Sequence, residues 1–238
     1  MSENYIQYFV DNFEGKDTLL IQNIYRVFGS RKQLLSEYKN EKLSVKSDMN
    51  KLIADYKILA KGSPYAKFYN LEIIKSNCIF FKESITFGED LIFYLDYIKY
   101  IEFIKFLPDA NYFYYWSPNS AITKKHHPSE LLETHLGFFE FMKNHKENEE
   151  IINFSNVYLW DSIELILDSL IFKNIPKKER FLYYKKITNV DLDLLKTPST
   201  LNRKIIKNLL NHHFLLDNYQ KIKHFIVNKL RLKKLTKK

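Results

Sequence analysis

From Ser129 to the end of the chain, apolar residues recur at helical spacing, whereas the residues before it mix strand-like runs with helical ones. That change of period divides the sequence into a mixed α/β front part and an all-helical back part. In the front, SENYIQYFVDNF reads as a first helix, with Ser2 as its N-cap and Tyr5, Ile6, Phe9, Val10 and Phe13 on one face. After a GKD turn, TLLIQNIYRVF (Thr18–Phe28) is short and rich in β-branched and aromatic residues, which predicts a strand. Residues 29–61 are polar with a helical pattern. Gly62, Ser63 and Pro64 predict a loop opening a short helix, and CIFF (Cys78–Phe81) a short extended piece. After Gly88, EDLIFYLDYIKYI places Leu91, Ile92, Leu95, Ile98 and Ile101 at helical spacing. IEFIKFL (Ile101–Leu107) and NYFYYW (Asn111–Trp116) read as strands separated by a PDA turn.

In the back part, PSELLE combines Ser129 with acids in the turn that follows, a helix-start signature. NVYLWDSIELILDSLIF is an amphipathic helix with Asp161, Glu164 and Asp168 on its solvated side, and Pro176 is expected to end it. Pro198 and Ser199 precede a basic C-terminal segment, so the expected division is 1–128, 129–200 and 201–238.

Charge is as unevenly spread as periodicity. Of 37 Lys and Arg, 11 fall in Leu201–Lys238 beside a single acid, Asp217, so the formal +9 of the chain belongs to the tail. A neutral domain with a basic tail is not a nucleic-acid binder on overall charge, and no nucleic-acid motif is present. In the tail Ile206, Leu209, Leu210, Phe214, Ile222, Phe225, Ile226 and Leu230 recur at helical spacing among Lys and Arg. This pattern fits a helix lying on an anionic bilayer surface, or a terminal helix packed on the domain.

No run of 18 apolar residues predicts a spanning helix. MSENYIQYFVDNFE is polar and acidic where a secretory signal needs a basic start and an apolar run. Cys78 is alone, which excludes an internal disulfide, fits a reducing compartment, and in an apolar run reads as a buried thiol. The expectation is a cytoplasmic chain, peripheral on the inner membrane face if the tail binds lipid. The 17 Tyr and 19 Phe accompany abundant Lys, Asn and Ile, a coding bias that carries little functional weight.

One ordered set of motifs says more. GSPYAKFY (Gly62–Tyr69), EII (Glu72–Ile74), CIFF, GEDLIFYL (Gly88–Leu95), YFYYW (Tyr112–Trp116) and NSAITKKHH (Asn119–His127) together resemble family 2 glycosyltransferases of bacterial polysaccharide synthesis. The match covers roughly residues 1–128. The resemblance implies a partial GT-A-like mixed sheet with flanking helices, followed by an all-helical region. It is to the acceptor-side half of that fold. The nucleotide-binding half, with its first apolar strand and D-x-D metal motif, has no counterpart before Ile6. The D-x-D at Asp191–Asp193 stands in the wrong place, as a surface turn or helix start.

The resemblance further implies inverting transfer from a nucleotide sugar to a glycan or lipid-linked acceptor. Asp90 would be the base and Glu89 would orient it or the acceptor. A first-turn acid is also an ordinary feature of helices, because the helix dipole favours the anion. Gly62, Pro64, Lys67 and Tyr69 would border the donor and acceptor pocket, with Lys67 a point cation toward the diphosphate or else a solvated lysine. Ser120, Lys124 and His126 would close over the diphosphate. The divalent metal expected for the family (Mg or Mn) would lack its D-x-D ligands here; it would come with a nucleotide-binding half supplied by a separate chain, or that half is lost and the chain is truncated and inactive alone. Adjacent His126 and His127 point apart, so they make no metal site by themselves. A non-catalytic scaffold binding a membrane or a partner enzyme is the alternative reading.

Overall fold

A computed structural model, which describes residues 1–115, 117, 126–145, 147–189, 195–196 and 200–235 (side chains through residue 229), places Thr18–Phe28 in strand β1 as its composition predicts. The chain divides into two compact units, residues 1–124 and 125–238. The first six residues of β1 are buried, and such an apolar run suits a strand covered on both faces.

Four strands assemble around β1. A hairpin returns as β2 (Arg31–Leu34), which pairs antiparallel with the end of β1. β3 (Glu41–Ser44) lies antiparallel on the far edge of β5 (Phe103–Tyr115), and β5 runs parallel to β1. β4 (Lys67–Phe68) pairs antiparallel with Leu20 and Ile21 on the edge of β1 that β2 also uses. The sheet order is therefore β2-β1-β5-β3, a mixed sheet. The helical reading of residues 29–61 misses β2 and β3. Both are four-residue polar strands whose pairing comes from β1 and β5 rather than from any periodicity of their own.

β5 is one strand where the PDA sequence predicts two strands and a turn. Its register against β1 jumps, so that Gln22 faces Leu107 and Ile24 faces Tyr112. The surplus residues, Pro108 among them, form a bulge, a place where proline's missing N–H costs no ladder bond. Buried side chains of β1 fill it. Asn23 Nδ2 donates to the Pro108 carbonyl at 2.6 Å, and Gln22 Oε1 accepts from the Asn111 N–H at 3.0 Å.

Helix α1 (Tyr5–Asp11) turns Tyr5 and Phe9 toward the sheet, where they join Leu20, Phe68 and Leu107. Ile6, Val10 and Phe13, expected on the same face, are all exposed. Nor does Ser2 cap the helix: its hydroxyl donates to Asn111 Oδ1, and Asn4 precedes the first turn. α2 (Met49–Ala54) and a 3-10 turn (Ile58–Ala60) follow β3. Helix α3 (Leu71–Ser76) begins beyond β4, so the Gly62–Pro64 loop opens a short strand and not a helix.

CIFF joins no strand of the sheet. Cys78 holds φ 51° and closes α3, with the N–H groups of Cys78 and Ile79 bonded to the carbonyls of Lys75 and Ile74. This is a Schellman stop with cysteine in the left-handed place usually given to glycine. It turns the Cys78 thiol outward, so the thiol is exposed rather than buried. Helix α4 (Glu89–Ile98) matches the predicted periodicity and buries seven of its ten side chains.

The second unit is helical throughout its described residues: α5 (Pro128–Lys143), α6 (Glu149–Phe172), α7 (Lys177–Thr188), α8 (Leu201–Leu209) and α9 (His213–Leu235). His127 caps α5 through Nδ1, and Asn148 caps α6. A second Schellman stop at Asn174 (φ 52°) ends α6, and Pro176 instead begins α7. The basic segment breaks into α8 and α9, and α9 packs against α6, α7 and α8. Arg203 reaches Asp161 and Glu164, and Lys223 reaches Asp168, so the acidic face of α6 is partly covered by the basic helices. Glu164 is consequently half-buried, while Asp161 and Asp168 remain exposed as expected.

Candidate active site

The predicted Asp90 sits in the first turn of α4, which starts abruptly. Gly88 precedes it with φ 79°, a left-handed geometry that a β-carbon would strain. The chain thereby turns straight from an exposed loop into a buried helix. Glu89 and Asp90 are both half-buried there, and Asp90 Oδ1 accepts from the Leu91 N–H at 2.7 Å. An acid in this position satisfies one of the free N–H groups of the first turn and is favoured by the helix dipole.

Against the same turn lies the loop that carries GSPYAKFY. Gly62 is buried directly on α4: a β-carbon there would stand 2.7 Å from the Leu91 Cα. Four residues later Ala66 adopts φ 57°, unusual for a residue with a side chain, and is held there by the Gln22 N–H, which donates to its carbonyl. Backbone strain of this kind costs on the order of 1–3 kcal/mol and persists only where surrounding structure imposes it. Its effect is to swing Lys67 into β4 and inward. Pro64 stays exposed at the tip of the loop.

Lys67 is 8% exposed. Its ammonium donates to the Ser63 carbonyl and stands over the Tyr94 ring, 5.1 Å from the centroid. Burial pushes its pKa down to about 7, with the Asp90 carboxylate opposing that shift and Lys61 adding to it. Asp90 also raises the phenol pKa values of Tyr65 and Tyr69, each already raised mainly by burial. One carboxylate, one half-neutralised lysine and two tyrosines thus share a small volume. Tyr69 packs edge-on to Tyr97 (4.8 Å) and Phe93 (5.4 Å) of α4. The hydroxyls of Tyr69 and Tyr94 are buried with no hydrogen-bond partner among the described residues.

Tyr65 is a member of this group that its sequence position alone does not single out. Its ring stacks on Tyr112 (4.9 Å, 6° between planes) and on Tyr114 (5.4 Å, 21°), which are alternate residues of β5 on one face. The period-2 tyrosines of NYFYYW were the available signal, since residues two apart on a strand share a face.

The structure brings Gly62, Lys67, Tyr69, Glu89 and Asp90 together at the loop and the start of α4. Ser120 and Lys124 lie outside the described residues, as do Asp191 and Asp193. His126 belongs to the second unit, where its Nδ1 is 3.7 Å from Glu130 Oε2 and its carbonyl accepts from the Ser169 hydroxyl. No three His, Cys, Asp or Glu side chains converge among the described residues.

No family model matches the chain, and no curated protein matches it by sequence. Among solved structures, it is similar to residues 1–349 of S. aureus TarS in complex with UDP-GlcNAc: TM-score 0.53, 16% identity, over 94% of this chain and 63% of that one. The same TarS fragment with UDP gives a TM-score of 0.45, and a third structure of it 0.47, both at 16% identity over 94% of this chain. This chain spans less than two thirds of the TarS fragment. What the likeness shows is a fold shared with that TarS fragment.

Proposed function

We propose that residues 1–124 carry the acceptor side of an inverting sugar-transfer site, with Asp90 as the base. The observation that carries this reading is the packing of the strained Gly62–Tyr69 loop on the first turn of α4, which holds Asp90 among Lys67, Tyr65 and Tyr69. Asp90 takes the proton of an acceptor hydroxyl as that oxygen attacks the anomeric carbon from the face opposite the leaving group. The bond from the anomeric carbon to the nucleoside diphosphate breaks, and its electron pair leaves with the diphosphate. Glu89 orients the acceptor. Lys67, near its half-protonation point at neutral pH, supplies adjustable positive charge beside the base. The donor in this reading is a nucleotide sugar, the class to which the UDP-GlcNAc bound to TarS belongs. No step is assigned to a metal ion.

The test is calorimetric titration of the full chain with UDP-GlcNAc and UDP, alone and mixed with a protein that supplies a nucleotide-binding half, followed by a transfer assay with glycan acceptors. Asp90→Asn is expected to lower transfer by about 10²–10⁴-fold while leaving donor affinity within about threefold, as removal of a general base does. Transfer undiminished in Asp90→Asn would rule out this role.

A second reading is favoured by one observation on α9. Phe214, Leu215, Ile222, Phe225 and Ile226 are all exposed on one side of the helix, and Lys229 stands 6.0 Å from the Phe225 ring centroid. Leu216, Asp217 and Gln220 face inward. We infer that this basic, apolar face lies on an anionic membrane surface, each nearby Lys or Arg adding about 1 kcal/mol. No described helix is long and apolar enough to cross a membrane. Vesicle sedimentation decides the point. Binding to vesicles containing phosphatidylglycerol that survives Phe225→Asp with Ile222→Asp would exclude this face.

A further inference from the structure

A second cleft lies beside the Asp90 loop within the first unit. It has a volume of about 720 Å³ and is lined by residues 35–41, Lys51, residues 55–57 and Lys61, with the carboxylates Glu37, Glu41 and Asp55 among them. Its wall is rigid. The buried Asn23 side chain accepts from the Tyr38 N–H at 2.9 Å, and the Leu35 N–H donates to the Ile24 carbonyl at 2.9 Å. The Tyr56 ring stacks on Phe106 (3.9 Å) and on Tyr38 (5.9 Å), and Tyr38 also meets Phe106 (4.9 Å).

Four lysines reach the cleft, and their partners differ. Lys51 is committed to Glu41, which also accepts from the Tyr56 hydroxyl. Lys39, Lys57 and Lys61 have no carboxylate within ion-pair distance among the described residues. Lys61 instead donates to the Ser36 hydroxyl at 3.3 Å and stands 5.9 Å from the Tyr38 ring centroid. Burial lowers its pKa, and Lys57 lowers it further, a repulsion that a bound anion would relieve. Lys57 is held in the left-handed region (φ 51°) by the 3-10 turn that follows it.

We propose that this cleft is a phosphate-binding subsite, in which Lys57 and Lys61 hold a phosphate group of the acceptor next to the Asp90 loop. Compact point cations on flexible stems suit the oxygens of a phosphate. The broad faces of Tyr38 and Tyr56 are taken by each other and by Phe106, so the cleft offers charge rather than a shelf for a nucleobase. Lys61 is the residue before Gly62, which places the subsite one step along the chain from the loop that packs on Asp90. The binding site stands on the cleft and its lysines. Its assignment to the acceptor rests on the reading of Asp90 given above.

The experiment is titration of the full chain with inorganic phosphate, glucose 6-phosphate, glucose and UDP, followed by calorimetry and by lysine-side-chain NMR. Glucose 6-phosphate is expected to bind saturably and glucose not at all. Lys57→Ala with Lys61→Met is expected to weaken the phosphosugar about tenfold or more, as loss of charge-assisted contacts does. Lys16→Ala, which removes an exposed pair with Glu72, leaves binding unchanged and controls for general charge. Thermal unfolding shows that the double variant is folded. Transfer by Asp90→Asn is read separately, so a failure of the catalytic reading shows in transfer and not in this titration. The subsite is overturned by equal binding of glucose, by full affinity in the double variant, or by binding of inorganic phosphate alone. It is reassigned away from the acceptor if UDP competes with glucose 6-phosphate and loses affinity in the same double variant.

Discussion

Gly62 lies so close to the backbone of Leu91 that a β-carbon on the glycine would meet the Leu91 Cα at 2.7 Å and its side chain at 2.9 Å. This contact clamps the loop bearing Lys67 and Tyr69 onto the turn bearing Asp90. Backbone cannot yield as a flexible side-chain end can, so Gly62→Ala must shift the loop or the helix. The expected cost is about 1–3 kcal/mol of stability, the usual range for overpacking, read as a lower urea midpoint. Gly29→Ala, in open space but at φ 57°, reads only the strain of a left-handed backbone, a cost that Gly62 does not carry. An unchanged urea midpoint in Gly62→Ala would show that the clamp contributes nothing.

Lys67 is expected to titrate with a midpoint of about 7 rather than near its ordinary 10.5, because burial disfavours its charged form. Between those two values the unfolded chain holds a proton that the folded one has released. Stability therefore rises as pH climbs from 7 toward 10.5. The nearby Asp90 carboxylate favours the ammonium, so Asp90→Asn moves the midpoint below 7. Nitrogen-detected NMR of the lysine side chains reads both effects, and a midpoint near 10.5 would contradict the buried geometry.

In the second unit the His135 ring is 2% exposed and contacts the Ser162 hydroxyl at 2.6 Å. Burial lowers its pKa from 6.5 to about 4. In that interval the unfolded chain binds the extra proton, so stability is lost as pH falls from 6.5 to 4. The loss approaches about 3 kcal/mol from the size of the shift. Denaturation curves at pH 7.5 and pH 4.5 should converge by roughly this amount in His135→Leu relative to the unaltered chain.

Asp217 is fully buried and accepts from Arg180 Nε (2.6 Å), Arg180 Nη2 (2.9 Å), the Tyr184 hydroxyl (3.0 Å) and Lys221 (2.9 Å). Burial alone raises its pKa, but the hydrogen bonds from Arg180, Lys221 and Tyr184 outweigh that and hold it at about 2. Asp217→Asn leaves the Arg180 guanidinium buried without its counter-ion. A destabilisation of about 3–5 kcal/mol follows. Tyr184→Phe, which removes one neutral donor, costs about 1 kcal/mol. Chemical denaturation separates the two, and similar losses would refute the ionic account.

Much of the scaffold could be read along the chain. β1 and α4 follow from composition and period, since an apolar β-branched run and a 3.6-residue stripe each favour one geometry. The helical back part was equally legible, as was Asp90 in the first turn of α4. Tertiary structure decided the rest. β2 and β3 exist because β1 and β5 offer them hydrogen-bonding edges. Asn23 and Gln22 make Pro108 a bulge within β5 instead of a turn between two strands. The Schellman stop turned Cys78 outward. Nothing local to Lys67 says that it is buried. Its depressed pKa, its place over Tyr94 and its coupling to Asp90, 23 residues away in sequence, all follow from how the Gly62 loop meets α4. Periodicity specifies which face of an element avoids water. Which faces then meet, and what charge is left at their junction, is settled only when distant segments pack.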